Sequence, residues 1–230
     1  MLSPIAAFYM KNNKHKDNYG GNTMDLIAKR GYIINKQKRL NPFNKAVFLD
    51  RDGTLHVDKV ETRRIEDLEF FSDTIESLRR LRSAGFELVI VTNQSGIGKG
   101  HYKESEMQAF NDEMVKRLKD SGVEITALYY CPHKTEDKCQ CKKPKDGMIR
   151  RAVMDLDLDI YKCYMIGDQN SDVVAGINAG INKNYLVKTG IYKSEDGKYH
   201  CPSDLIDKMV ICNNLTEATN DILERDKNET

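Results

Sequence analysis

The chain is constrained most by a repeated pattern: short apolar runs of strand length that stop abruptly at a carboxylate, hydroxyl or amide. Ala46-Val-Phe-Leu49 stops at Asp50, Glu87-Leu-Val-Ile-Val91 at Thr92, and Cys163-Tyr-Met-Ile166 at Gly167-Asp168. Runs of this length with almost no polar alternation belong to strands covered on both faces, the interior strands of a parallel sheet. Parallel neighbours need long crossovers, and helical periodicity supplies them. Asp73 to Ser83 spaces Ile75, Leu78 and Leu81 at three-residue intervals before Gly85, and Glu104 to Asp120 sets Met107, Phe110, Met114 and Leu118 on one face before Gly122. Gly147 to Leu156 and Ser171 to Ala179 read as two more helices. With strands at about 46–50, 87–91, 126–130, 163–167 and 184–188, the pattern predicts an α/β fold: a doubly wound parallel sheet with right-handed crossovers. Segment 55–70 is too short for a large cap domain; with His56, Lys59, Arg63 and Arg64 it is expected to form a partly basic flap over the site.

Ligands of such sheets bind beyond the strands' carboxyl ends, which is where the polar clusters fall. In Asp50-Arg51-Asp52-Gly53-Thr54, alternation along an extended chain places Asp50 and Asp52 on one side and Arg51 on the other. Two carboxylates this close repel unless a hard cation such as Mg²⁺ binds at least one through oxygen. That combination suits phosphoryl transfer, which needs charge neutralisation and an oriented nucleophile. Asp50 is the expected nucleophile, forming an aspartyl phosphate. Asp52 is the expected general acid for the leaving alkoxide and then the general base for water. Thr92 and the N–H groups after it, in Thr92-Asn93-Gln94-Ser95-Gly96, can cradle a phosphate, and Asp168 is the expected third metal ligand. Asp172, four residues on, is placed to hold a metal-bound water or to cap the helix that begins at Ser171. Lys143, in Lys142-Lys143-Pro144, would offset charge on the aspartate and phosphate oxygens.

Cys131-Pro132-His133, followed after five residues by Cys139-Gln140-Cys141, brings two close pairs of soft ligands that can wrap one tetrahedral zinc. Four ligands leave no open position, so this zinc would be structural. The loop 131–144 has little apolar content with which to fold by itself, and a bound metal would supply the missing stability. A disulfide, or two reduced surface pairs, is the plainer alternative.

These residues resemble the haloacid dehalogenase superfamily of phosphatases over positions 46 to about 190. Its four motifs are matched by Asp50 to Thr54, by Thr92, by Lys143, and by Asp168 with Asp172. The resemblance implies that Mg²⁺ is held by Asp50, the backbone carbonyl of Asp52 and Asp168, with Asp172 behind them. Together with the cysteine loop, the pattern is similar to the branch containing the heptose 1,7-bisphosphate phosphatases and the histidinol-phosphate phosphatases. Phe48 to Thr54, Val91 to Ile97, Tyr129 to His133 and Lys143 to Met148 favour the heptose side, and Ser95 stands where histidinol-phosphate phosphatases usually carry an acid. Thr54, Asn93, Gln94, Ser95 and Lys142 are then expected to contact substrate. Lys142 and Lys99 replace arginines common in that branch, and an ammonium cannot make the two-pronged contact of a guanidinium. Nucleic-acid 3′-phosphatases share the Thr-Asn-Gln-x-Gly-Ile segment and form a rival reading.

Charge separates the chain into two parts. Residues 1–44 are expected to be a basic, flexible extension, helical at most around Asp25 to Lys29, and residues 45–230 the phosphatase domain. Met1 to Lys45 carries nine Lys and Arg against two Asp, so the remaining 185 residues are net −6 in a chain of net +1. An acidic body argues against binding a phosphate backbone. The expected partner is a small phosphorylated sugar, with no nucleic acid or membrane, and the chain is expected to be a monomer. No run approaches the ~20 apolar residues of a membrane span. Six cysteines, four of them in one loop, suit a reducing cytoplasm better than a disulfide scaffold. Cys163 is expected to be buried, and Cys201 and Cys212 have no expected role.

Overall fold

The structure is a computed structural model and describes residues 31–33, 44–190 and 207–228. The helix expected near Asp25 and the residue Cys201 lie outside these. Seven strands form one sheet: β1 (Gly31–Ile33), β2 (Ala46–Leu49), β3 (Glu87–Asn93), β4 (Ala127–Cys131), β5 (Tyr164–Gly167), β6 (Lys183–Val187) and β7 (Met209–Cys212). Their order across the sheet is β1-β4-β3-β2-β5-β6-β7, and all neighbours from β4 to β7 are parallel. The chain runs outward from β2 through β3 to β4, then crosses back to β5. This makes the carboxyl end of β2 a topological switch point, where a crevice opens between loops that diverge to opposite faces.

Alternation on β2 divides the core. Val47 and Leu49 face one layer with α1 (Thr74–Ser83), α3 (Glu104–Asp120) and α6 (Leu215–Asn228), through Leu78, Leu81, Met107, Phe110, Met114, Leu118 and Ile222. Ala46 and Phe48 face the other with α4 (Gly147–Leu156) and α5 (Asn170–Ala179), through Met148, Ile149, Ala152, Ala175 and Ala179. A strand flanked by helices on both faces has no polar side to alternate, which is why the sequence reads as continuous apolar runs. Each fully buried large side chain contributes about 1.5–3 kcal/mol. α2 (Ser95–Gly98) is a single turn directly after β3.

Both sheet edges differ from expectation. Gly31–Ile33 pairs antiparallel with β4, Gly31 opposite Tyr129 and Ile33 opposite Ala127, inside the segment expected to be a flexible extension. Three residues carry no readable period, yet they cover the outer edge of β4. At the opposite edge, β7 and α6 were not anticipated; β7 is only four residues long, and Val210 and Ile211 on it are not buried. Cys163 is buried as expected, and Cys212 closes β7 as a buried thiol. Among the described residues, no helix is long and apolar enough to cross a membrane.

Candidate active site

Asp50 follows β2 immediately, and its backbone N–H donates to Ile166 O at 2.9 Å, fixing it between β2 and β5. Lys143 reaches it from the loop before α4. Its ammonium donates to Asp50 Oδ1 at 2.5 Å, to Val91 O at 2.8 Å, and pairs with Asp172 Oδ1 at 2.7 Å. Asn93, at the end of β3, clamps the Lys143 backbone in both directions: its amide donates to Lys143 O at 3.1 Å and its carbonyl accepts from Lys143 N–H at 3.0 Å. A buried ammonium with two carboxylates is costly to desolvate but well satisfied. Burial works to strip its proton, yet Asp172 and Asp50 outweigh this and hold it above the ordinary lysine value.

Asp168 sits just past β5, almost fully buried, and its Oδ1 has no hydrogen-bond partner among the described residues. The chain is pressed so closely here that a Cβ on Gly53, whose φ is +77°, would lie 2.6 Å from Asp168 Oδ2. Burial, then Asp50 and Asp172, push Asp168 up to about 9. Burial also raises Asp50, to about 7, against the pull of Lys143. Asp172, two positions inside α5, turns one oxygen back to accept from Gln169 N–H at 3.0 Å, the capping role, while the other meets Lys143. One carboxylate oxygen each from Asp50, Asp168 and Asp172 lie within 4.8 Å of one another. Buried acids that crowd together and leave an orphan oxygen are the donor set a hard cation satisfies.

Asp52 has the opposite surroundings. Its carboxylate accepts from Arg51 Nε at 2.9 Å and Nη2 at 2.8 Å, and from Gln94 Nε2 at 2.9 Å, with His56 Nε2 3.5 Å away. Burial would raise it, but Arg51, His56 and these donors hold it below the usual carboxylate range. The expectation that Arg51 points away is therefore corrected. Alternation ends with the strand at Leu49, and the following turn folds Arg51 inward, fully buried against Phe110 and donating to Asn111 Oδ1 at 2.7 Å and Thr62 O at 3.1 Å.

A cleft of about 150 Å³ opens above these groups, lined by Asp50, Asp52, Thr92, Ser95, Lys143 and Asp172. The flap contributes Asp58 and Glu61, so its cleft side is acidic rather than basic. Val60 and Glu61 both take left-handed backbone, φ 61° and 55°, at the flap tip, where Glu61 meets His101 Nδ1 at 2.8 Å. Of its basic residues, Lys59 pairs with Glu69, Arg64 pairs with Asp67, His56 is buried edge-on to Phe110, and Arg63 lies over the ring of Tyr102, which lines the cleft. Thr54 and Lys142 do not line the cleft. The turn at Gly53 carries Thr54 inward, where its hydroxyl is buried, and Lys143 rather than Lys142 takes the inward position. Asn93 and Gln94 line it, but their amides are committed to Lys143 and Asp52. Sequence reasoning missed Asp58, Glu61 and Tyr102; only their nearness to the first two motifs could have pointed to them.

The second cluster lies beside the cleft. Cys131, at the end of β4, His133, Cys139 and Cys141 converge, with Sγ and Nδ1 atoms 3.1–3.6 Å apart. The sulfurs stand apart as separate thiols, the nearest pair 3.1 Å from each other rather than the ~2.05 Å of a disulfide, which favours a shared metal over a disulfide. Tetrahedral zinc with ~2.3 Å bonds to sulfur needs edges of roughly 3.8 Å between sulfurs, close to what is present. The loop is tied to the phosphate cradle by Gln94 N–H to Cys131 O at 2.7 Å and Gly98 N–H to Pro132 O at 2.9 Å, and Lys143 follows Cys141 by two residues.

Residues 140–218 match the HAD-hydrolase-like family. The chain is 43% identical over 160 residues to the D-glycero-β-D-manno-heptose-1,7-bisphosphate 7-phosphatase of Pasteurella multocida, covering 67% of this chain and 87% of that protein. It is 37% identical over 178 residues to the corresponding α-anomer phosphatase of Photorhabdus laumondii, covering 74% and 92%. In structure it is similar to the D,D-heptose 1,7-bisphosphate phosphatase of B. bronchiseptica complexed with magnesium and phosphate, at a TM-score of 0.70 and 27% identity over 79% of this chain and 99% of that one.

Proposed function

The chain belongs to the haloacid dehalogenase superfamily of phosphatases, and from that premise we propose that it removes the 7-phosphate of D-glycero-D-manno-heptose 1,7-bisphosphate through an aspartyl phosphate on Asp50. The observation that carries this reading is the Lys143 ammonium on the cleft floor, bridging Asp50 and Asp172 beside the orphan oxygen of Asp168. Lys143 fixes one oxygen of Asp50 and leaves the other to attack. The charge of a phosphate bound beside Asp52 favours its protonated form; an Asp50 oxygen forms the new bond to phosphorus, and the ester oxygen leaves with the bonding pair and takes that proton. Water then attacks phosphorus, gives its proton to Asp52, and the Asp50 carboxylate departs. Thr92 and the N–H groups opening α2 hold the non-bridging oxygens.

Mg²⁺ fits the carboxylate cluster. Asp50 and Asp168 would hold it with the Asp52 carbonyl, and Asp172 would orient Lys143. Bound there, it would neutralise charge on the transferring phosphoryl group. Zn²⁺ fits Cys131, His133, Cys139 and Cys141, and would fasten the loop that delivers Lys143. The acidic rim of Asp58 and Glu61 opposes a polyanionic backbone and suits the hydroxyl donors of a small sugar.

A phosphate-release comparison across both heptose 1,7-bisphosphate anomers, histidinol phosphate and a 3′-phosphorylated oligonucleotide tests the substrate. The expected result is the highest kcat/KM on a heptose bisphosphate, with release from C7. A preference for either of the other two would overturn the substrate and leave the mechanism standing.

A further inference from the structure

Gln94 and Tyr102 form a hydrogen-bonded line to Asp52 that the chemistry above does not use. Tyr102 Oη donates to Gln94 Oε1 at 2.8 Å, and Gln94 Nε2 donates to Asp52 Oδ2 and to Thr92 Oγ1, both at 2.9 Å. With Asp52 ionised, as in the substrate-free site, the direction of the amide follows: a carboxylate only accepts, so the nitrogen faces Asp52 and the carbonyl is left for the phenol. Burial pushes the Tyr102 phenol up to about 12, so it keeps its proton for that bond. Gly96 makes the arrangement possible, since a Cβ there would lie 2.2 Å from the Tyr102 ring. On its other side Tyr102 lines the cleft, with the Arg63 guanidinium 5.5 Å over its ring.

Arg51 grips both oxygens of Asp52 from below, but its own anchors are Asn111 and Thr62, away from the phosphate cradle. Among the described residues, Gln94 makes the short bond that joins Asp52 to the cradle, at 2.9 Å, while the Thr92 hydroxyl is 3.5 Å from it. We propose that Gln94 and Tyr102 are positioning residues for leaving-group protonation: Tyr102 locks the Gln94 amide, and Gln94 aims the Asp52 carboxyl at the ester oxygen of a phosphate seated on Thr92. This rests on Asp52 being the general acid. A misplaced acid costs rate only where the leaving group needs a proton.

The test uses the full chain with Mg²⁺ and two esters: the alkyl phosphate preferred in the substrate comparison, and p-nitrophenyl phosphate, whose phenolate departs unprotonated. The readout is kcat/KM, which reports steps up to leaving-group release. Tyr102→Phe keeps the ring on Gly96, and Gln94→Met is the second variant. Each is expected to lose about tenfold on the alkyl ester and less than about twofold on the aryl ester, while Asp52→Asn shows the same split at about 10²-fold or more. Equal losses on both esters would show a general structural effect and overturn the proposal. So would an unchanged alkyl rate in Tyr102→Phe and Gln94→Met while Asp52→Asn loses it. If Asp52→Asn itself leaves the alkyl rate intact, the general-acid assignment falls, and the proposal with it.

Discussion

The carboxylate cleft and the thiol loop lie side by side, joined at Lys143, but they solve opposite problems. The cleft draws its groups from the ends of three parallel strands and two loops, and it leaves buried charge unsatisfied: Asp168 has an orphan oxygen, and Asp50 and Asp168 are both pushed far above the carboxylate range. The loop draws four ligands from eleven consecutive residues and closes them on one another. Its own ligands can fill every position around a metal, whereas the cleft's cannot. Sites that bind substrate must stay incomplete, and sites that hold shape must not.

Substitutions in the cleft should therefore cost mainly turnover, and substitutions in the loop mainly stability, with a smaller loss of turnover passed on through Lys143. Asp50→Asn is expected to reduce kcat by about 10⁴-fold or more while relieving carboxylate repulsion, so the melting temperature should hold or rise; calorimetry and phosphate release check both. Lys143→Met leaves Asp50 and Asp172 without their shared cation, and kcat should fall about 10²–10³-fold. Cys141→Ser should lose the loop's metal by elemental analysis, lower the melting temperature, and reduce kcat about 10–100-fold by loosening Lys143. A Cys141→Ser protein with full zinc and full stability would erase the distinction between the two regions.

Acidity sharpens the same contrast. Asp50 and Asp168 bind protons more tightly folded, near 7 and 9, than at their ordinary 3.8. Without metal, the stability they contribute is full below about pH 4 and lost as pH rises through 7 and then 9. A cation displaces those protons, so Mg²⁺ affinity should rise across the same window, by up to about tenfold per pH unit for each proton released. Titration calorimetry at about pH 6 and 8.5 measures it; affinity flat with pH would contradict the buried cluster. The smallest effect is expected at the flap tip. Glu61→Gln breaks a half-exposed pair with His101, worth about 0.5 kcal/mol or less in stability.

The interior strands and the helices between them were legible because burial on both faces writes itself as apolar runs and helical spacing as a stripe. The helices Glu104–Asp120 and Gly147–Leu156 begin and end where their glycines and apolar positions predict. The edges were not, because β1 and β7 are three and four residues long and owe their existence to the strand beside them. Of the site, the residues at strand ends were legible and their orientations were not. Arg51 turns inward because the strand stops one residue earlier, and Asn93 and Gln94 face protein groups brought near only by folding. The flap's acidic face depends on two left-handed residues that no local glycine announces.

The account turns on Asp50 carrying the phosphoryl group. Acid quench of the Asp52→Asn protein during turnover of p-nitrophenyl phosphate, borohydride reduction and peptide mass spectrometry read this directly, because an aspartyl phosphate is reduced to homoserine. Homoserine at position 50, with Asp168 and Asp172 unmodified, is the predicted result. Homoserine at another position, or phosphate release at an undiminished rate with none at 50, would contradict it.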